Sequence, residues 1–409
     1  MSNPSAFTHD VVIIGGGMIG LTLAHGLAKH GVHTAVVDLA PTPEQVAPNF
    51  DGRASAVAYA SSQMLKSLGL WDALEEDAQP ILEIRVSDGP SLLHLHFDHQ
   101  TLGDGPLGYL IENRHLRQAL HASTGKKDEH KFDLFAPAKA EVVDRGDYRV
   151  DVHLESGEAL SAPLLIAADG KASKQRQDAG ISVTKWMYPQ HAIVTTVAHE
   201  FSHEGIAHER FMPAGPFAIL PLTRNRSNIV WTAKAKETPA IMALDDDAFL
   251  AALAMRSGDF LGKIELAAPR WSYPLGFQHA ERYVDRRMAL VGDAGHVIHP
   301  IAGQGLNLGM RDIAALIEVL VDAQRLGQDL GDPEVLARYE RWRRADNVML
   351  GVVTDGLNRL FSNDLAPVRL ARDVGLAAVD RMPGLGKFFM RHARGTVGEL
   401  PKLLTGAPV

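Results

Sequence analysis

A chain of 409 residues, 46% hydrophobic and 22% charged, sits in the globular range and is long enough for two or three structural units, which excludes a fibrous or wholly disordered polymer. Its formal net charge of −8 has the wrong sign for a general nucleic-acid binder. With no cysteine there is no disulfide, thiolate zinc site, iron–sulfur cluster or cysteine nucleophile, and the compartment stays open.

The N-terminus lacks the basic-then-apolar pattern of a signal peptide, and no stretch approaches the ~20 apolar residues of a membrane span. A soluble, cytoplasmic protein is expected. Asp10 leads the apolar run Val11–Ile14, which reads as a strand buried on both faces. Gly15-Gly16-Gly17-Met18-Ile19-Gly20 follows, then the helical stretch Leu21–Ala28, then a second strand, Thr34–Val37, ending at Asp38. This βαβ context is that of a dinucleotide site. Gly15 permits the tight turn, Gly17 lets the backbone approach a pyrophosphate, and Gly20 allows close helix–strand packing. Asp38, 18 residues after Gly20, suits ribose hydroxyls and would repel a 2′-phosphate, which fits NAD or FAD.

Further along, Leu93, Leu95 and Phe97 alternate with His94, His96 and Asp98. A metal would accept that polar trio with His99 beside it, but a polar outer sheet face explains the alternation, and no metal site is assigned. Pro163–Ala168 is another buried strand, ending in Asp169-Gly170. Phe211–Leu222 and Ser227–Trp231 read as a hairpin of apolar strands, and Trp271-Ser272-Tyr273 leads back toward the nucleotide-binding part. Arg287–Val291 ends in Gly292-Asp293, with Pro300, Gly303, Gly305, Leu306, Asn307 and Gly309 close behind. A helix is expected from Met310 to about Gln324. Three strand ends carrying Gly and Asp suit a long ligand gripped along its length, and glycines before a helix offer amides to an anion. His296 and His299 border this loop and are read as structural.

In the tail, Met349, Leu350, Val353, Leu357, Leu360 and Phe361 fall largely on one helical face, read as core. Residues 341–409 hold 11 Lys/Arg against 6 Asp/Glu, leaving −13 on the first 340. That basic excess suits either a solvated helix surface or a membrane or partner face, with the apolar and basic Met382–Arg394 as a candidate contact.

The glycine fingerprint, Asp169-Gly170 and Gly292-Asp293 together resemble the class A flavin monooxygenases, and Asp51-Gly52-Arg53 followed by Ala-Ser-Ala56 resembles their arginine loop. Gly292–Asp312 and Thr354–Ser362 closely resemble the ubiquinone-biosynthesis hydroxylases, and the resemblance runs from about Asp10 to about Arg394. It implies an α/β fold with a three-layer, Rossmann-like FAD-binding domain (1–75, 100–180 and 275–340), an inserted mixed-sheet substrate domain (76–99 and 181–274) and C-terminal helices (341–409). It implies that NAD(P)H reduces FAD and that a flavin hydroperoxide transfers OH to the ring of a hydrophobic phenolic or quinone-precursor substrate.

Carried over by position, Gly15, Gly17, Gly20 and Asp38 hold the ADP half, and Arg53 lies near the flavin and pyrophosphate. Asp169 supports FAD and NAD(P)H engagement together. Gly292-Asp293 meets the ribityl or pyrophosphate region, and Pro300, Gly303, Gly305, Leu306 and Asn307 border the ring system. Gly215, Pro216, Phe217 and Leu220 are substrate-pocket candidates. Asn113 stands where related hydroxylases often have arginine, which puts a pyrophosphate contact there in doubt and leaves Arg114 and Arg117 as nearby substitutes. No dedicated acid–base residue emerges; the flavin-lining Arg53, Pro300 and Gly303 are the catalytic candidates.

The lack of a second glycine fingerprint favours transient nicotinamide docking on the FAD domain, and the lack of a Trp-x-Trp pair counts against flavin halogenases. A membrane surface, at the periphery of the inner membrane, or a biosynthetic complex is a candidate partner. Two rival readings stand: a flavin monooxygenase of another aromatic metabolite, and a weakly catalytic FAD-binding subunit of a complex.

Overall fold

The computed structural model describes residues 7–47, 51–89, 94–103, 105–123, 132–361, 387, 390–391 and 393–409. Val11–Ile14 is fully sequestered because a parallel strand flanks it on each side: Val11 stands opposite Leu164 and Thr34. The six-stranded sheet runs Val284–Asp285, Met288–Leu290, Leu164–Ala167, Val11–Ile14, Thr34–Val37, Asp133–Phe135, parallel except for its first pair. β-Branched and aliphatic side chains on both faces explain the uninterrupted apolar runs in the sequence. The helices Met18–Lys29 and Gln304–Arg325 pack together, with Gly26 so close to Ile317 that a methyl group there would overlap it. A three-stranded antiparallel sheet (Ala140–Arg145, Val150–Leu154, Ala159–Ala162) adds a further layer.

The second body is a nine-stranded mixed sheet. Its centre is the long strand Val183–His199, paired antiparallel with Arg226–Lys234 and with Trp271–Ala280. Ile206–Met212 pairs parallel with Glu83–Asp88, which makes the sheet mixed. Trp271–Ala280 continues unbroken through residue 275, and His296–Val297 pairs onto it, so the sheet and the nucleotide-binding part interleave there. A small sheet of Ala54–Ala58, Gly108–Glu112 and Gln79–Ile81 lies where the two bodies meet.

Two expectations change in the structure. The helix expected from Met310 begins at Gln304, because the Asn307 side chain anchors its first turn and Gly309 lies against Ile19, where a Cβ would approach to 2.6 Å. The tail helix, Pro333–Phe361, does not bury the apolar stripe: Met349, Val353 and Leu360 are exposed, whereas Arg343, Asn347, Thr354 and Asn358 are buried. Its inward face meets the buried carboxylate of Asp312 and the amide of Gln190, so polar side chains are the ones that fit. Phe361 is deeply buried, stacked on Phe211 at 4.1 Å. Most of Met382–Arg394 lies outside the described residues. No helix among the described residues is long and apolar enough to cross a membrane.

Candidate active site

Parallel strands deliver their C-terminal ends to one edge of the sheet, so the turns after Ile14, Val37, Ala167 and Leu290 converge there. Gly15 has φ +109°, and a Cβ would overlap the carbonyl of Ala168. A Cβ at Gly20 would overlap the carbonyl oxygen of Gly15. Gly17 differs: its φ of −71° is ordinary, and a Cβ would meet nothing within 4 Å. The helix it caps has no side-chain cap and no acidic residue in its first turn, so amides and dipole face open space. Asp38 Oδ2 accepts from the Gly16 amide at 2.5 Å, and Oδ1 accepts from the Ala40 amide (2.7 Å) and Gln45 Nε2 (3.1 Å). Asp169 Oδ2 accepts from the Gln175 amide at 3.2 Å, and its buried Oδ1 has no hydrogen-bond partner. An uncapped helix terminus with an unpartnered carboxylate oxygen beside it is a cradle suited to a dinucleotide.

Asp51 organises the next loop. Arg53 donates to both its oxygens, through Nε (2.9 Å) and Nη2 (2.9 Å), and Arg117 Nη1 and Asn113 Nδ2 add 3.1 and 3.0 Å bonds to Oδ2. Burial pushes the Asp51 carboxyl upward, but these donors outweigh it and hold it well below the usual carboxylate range. Asn113 is therefore a buried brace of the arginine loop, accepting a further bond from Ser55 Oγ at 2.6 Å. Arg114 turns away to Glu112 (3.2 Å), while Arg117 joins the brace. The Arg53 guanidinium lies 5.0 Å from the ring centre of Tyr273, and the indole of Trp271 packs where a Gly52 side chain would stand.

Between this edge and the large sheet lies a cavity of about 340 Å³. Arg53, Asp293, Pro300, Gly303 and Asn307 border it on one side; Ala192, Val194, Val230 and Leu275 form an apolar wall. Asp293 is exposed to this space, within reach of the charges of His296, Arg53 and Lys171. The helix Gln304–Arg325 points its N-terminus at the cavity, capped by Gly303 at φ +62° without a side-chain cap.

Not every candidate reaches the cavity. Asn307 borders it, but its carboxamide is engaged by the Ala58 amide (2.8 Å), Ser61 Oγ (3.0 Å) and the Ala56 carbonyl (2.8 Å). Leu306 packs against the main core, and Gly305 is exposed outside the lining. Gly292 is buried behind Asp293, with its amide 3.2 Å from Asp312 Oδ2. Along Gly215–Leu222 the period of two decides: Pro216, Ala218 and Leu220 line the cavity, while Phe217 and Ile219 enter a second core beneath. Gly215 stands off the lining, against Thr232 and Gln190.

The histidines differ: His299 has both ring nitrogens buried without a hydrogen-bond partner, whereas His296 is paired. His296 Nε2 lies 2.5 Å from Asp312 Oδ2, and His299 is fully buried, with its pKa lowered to about 4 by burial. His96 pairs with Glu83 at 2.9 Å and Asp98 caps the following turn through the Gln100 amide, as a polar sheet face does. Asn228 and Thr232, unremarked in the sequence, line the cavity, and their buried Oδ1 and Oγ1 have no hydrogen-bond partner. The only sequence signal was that polar Asn228 and Thr232 bracket the apolar run Ile229–Trp231.

A family model described as an FAD binding domain matches residues 8–349. Ubiquinone hydroxylase UbiL of Rhodospirillum rubrum is 49% identical over 403 residues, covering 98% of this chain and 93% of that protein. The chain belongs to the ubiquinone-biosynthesis hydroxylase family of FAD-dependent monooxygenases. The 3-demethoxyubiquinol 3-hydroxylase of Escherichia coli is 37% identical, with 94% of this chain and 98% of that protein covered. Among solved structures, p-nitrophenol 4-monooxygenase PnpA from Pseudomonas putida superposes with a TM-score of 0.79 at 20% identity, covering 96% of this chain and 99% of that one, a likeness of fold. The expected fold class, the FAD-binding domain and the hydroxylase class thus hold for this chain.

Proposed function

We propose that this hydroxylase adds a hydroxyl group to the aromatic ring of a polyprenylated ubiquinone precursor, drawing electrons from NAD(P)H and oxygen from dioxygen. The observation that carries the reading is the apolar cavity of about 340 Å³ set against the nucleotide cradle, on the scale of a small-molecule site. Bound FAD supplies the activation of dioxygen. The chain's part is binding, orientation and exclusion of water. The helix N-termini at Gly17 and Gly303 favour negative charge on the pyrophosphate and on the reduced ring system. Asp38, fixed by three donors, takes the ribose hydroxyls, and Asp169 and Asp293 take polar groups of the cofactor's middle. Arg53, held by Asp51, would lie near the flavin and pyrophosphate. Ala192, Val194, Val230 and Leu275 keep water from the reacting ring, while Asn228 Oδ1 and Thr232 Oγ1 suit its oxygen substituents.

A lipid-tailed substrate gives the tail helix a second role. Its outer face carries Val348, Met349, Val352 and Val353 with Arg341 and Arg344, a mixture suited to an anionic membrane surface. Quinone intermediates profiled by mass spectrometry in a strain lacking the chain should show an accumulating prenylphenol short of one hydroxyl group. Wild-type chain should clear it, and an unchanged quinone pool refutes the reading. Flotation with anionic liposomes should carry the wild type up and leave Met349→Glu/Val352→Glu behind; equal flotation removes the membrane role.

A further inference from the structure

The opposite edge of the parallel sheet holds a cluster that the hydroxylase chemistry does not use. His9 precedes Val11–Ile14, His33 precedes Thr34–Val37, and Asp133 opens Asp133–Phe135, so three adjacent strands bring their starts together. His9 Nε2 lies 3.0 Å and His33 Nε2 3.5 Å from the same oxygen, Asp133 Oδ2. The two imidazoles stack with centroids 4.5 Å apart, and all three ligand atoms lie within 4.8 Å of one another.

Hydrogen bonding sets the His9 tautomer. Thr8 Oγ1 donates its single hydrogen to the Ser161 carbonyl (3.0 Å) and accepts the Ser161 amide (2.8 Å). What remains on that oxygen is a lone pair, which accepts from His9 Nδ1 at 2.9 Å. Nε2 of the neutral ring therefore points a lone pair at a carboxylate oxygen, which is repulsive unless a cation stands between them. Asp133 Oδ2 faces both Nε2 atoms at once, so a single metal ion set among them would meet all three donors. Tetrahedral zinc, with bonds of about 2.0–2.2 Å, sets its ligand atoms about 3.3 Å apart, between the two observed separations.

We propose that His9 Nε2, His33 Nε2 and Asp133 Oδ2 form a site for a divalent transition metal of the zinc class, with water completing the shell. Imidazole and carboxylate donors suit that class. The Thr8 bond to Nδ1 supplies the outer-shell partner such histidines need. His33 is preset by its backbone, whose amide donates to Asp10 Oδ2 (2.8 Å) and whose carbonyl accepts the Asp10 amide (2.7 Å). His9 is buried, whereas His33 and Asp133 are more than half exposed, which gives the ion a path in. The ion ties the edge strand Asp133–Phe135 to its neighbours, far from the Gly15 turn, so its readout is stability rather than turnover.

The test uses the untagged, FAD-loaded full chain after chelation and dialysis. Zn²⁺ is titrated calorimetrically and Co²⁺ by its visible absorption, in wild type, His33→Ala and Asp133→Asn; both variants change exposed side chains and should fold. One ion per wild-type chain is expected, with affinity at least about tenfold weaker in each variant. Zn²⁺ should raise the thermal midpoint of the wild type alone. Equal binding in all three proteins would place the ion at other histidines and overturn the site. Absence of binding to the wild type, with a midpoint that does not respond to Zn²⁺, would overturn it.

Discussion

Gly15 and Gly17 stand two residues apart yet answer different constraints. At Gly15 both the positive φ and the Ala168 carbonyl forbid a side chain, so Gly15→Val should leave little folded protein. At Gly17 a side chain enters only the open space in front of the helix. Gly17→Val should therefore fold, with unchanged far-ultraviolet circular dichroism. Its FAD affinity should fall about ten- to a hundredfold as one or two charge-assisted amide bonds are lost. The ratio of flavin to protein absorbance after gel filtration measures this; a flavin-replete Gly17→Val removes the pyrophosphate from that turn.

At the scale of elements, the strand Gly215–Leu222 separates stability from reaction by parity alone. Phe217 is 1% exposed within the second core, so Phe217→Ala should cost about 3–5 kcal/mol in urea unfolding while the folded fraction keeps its KM. Leu220→Trp fills the cavity instead, and should raise KM and hydrogen peroxide release with little loss of stability. The joint between the two long helices is polar: Asp312 accepts from Arg343 Nε and Asn347 Nδ2, each at 3.0 Å, and from the Gly292 amide. Asp312→Ala leaves the Arg343 charge buried without that carboxylate and should cost about 3–5 kcal/mol. Because the Gly292 amide is released too, FAD affinity should fall in the same variant; flavin binding at wild-type strength would uncouple the joint from the loop.

For the whole molecule, acid should act in two stages. Burial holds the pKa of His279 and His299 down to about 4, below the ordinary 6.5, so the unfolded chain binds protons first and stability should fall between about pH 6.5 and 4. Burial pushes Glu112 and Asp312 upward, but His115 and Arg226 around the first and His296 and Arg343 around the second prevail, holding each to about 2. Their contribution is complete above the unfolded value near 4 and is lost as pH falls toward 2. Tryptophan fluorescence against urea at a series of pH values should trace both windows; a stability flat from pH 6.5 to 4 would contradict the neutral buried histidines.

Local order was legible where a short stretch carries its own constraint. The runs Val11–Ile14 and Thr34–Val37, the glycine turn and Asp38 announce a nucleotide fold because β-strand burial and turn sterics are properties of neighbouring residues. Local periodicity misplaced the tail stripe, and the resemblance misplaced Phe217, since which face is inner depends on what packs from elsewhere: Asp312 under one helix, a second core under one strand. Asn113 looked like a lost arginine and proved to brace Asp51, 62 residues away. By itself the sequence determined the strand, glycine turn, helix and strand of a dinucleotide site, because those depend on local periodicity and spacing, and the flavin hydroxylase class followed from its resemblance to a family. Only tertiary structure decided which polar atoms are already satisfied, which line the cavity and which await a ligand, because satisfaction depends on partners brought in from distant parts of the chain.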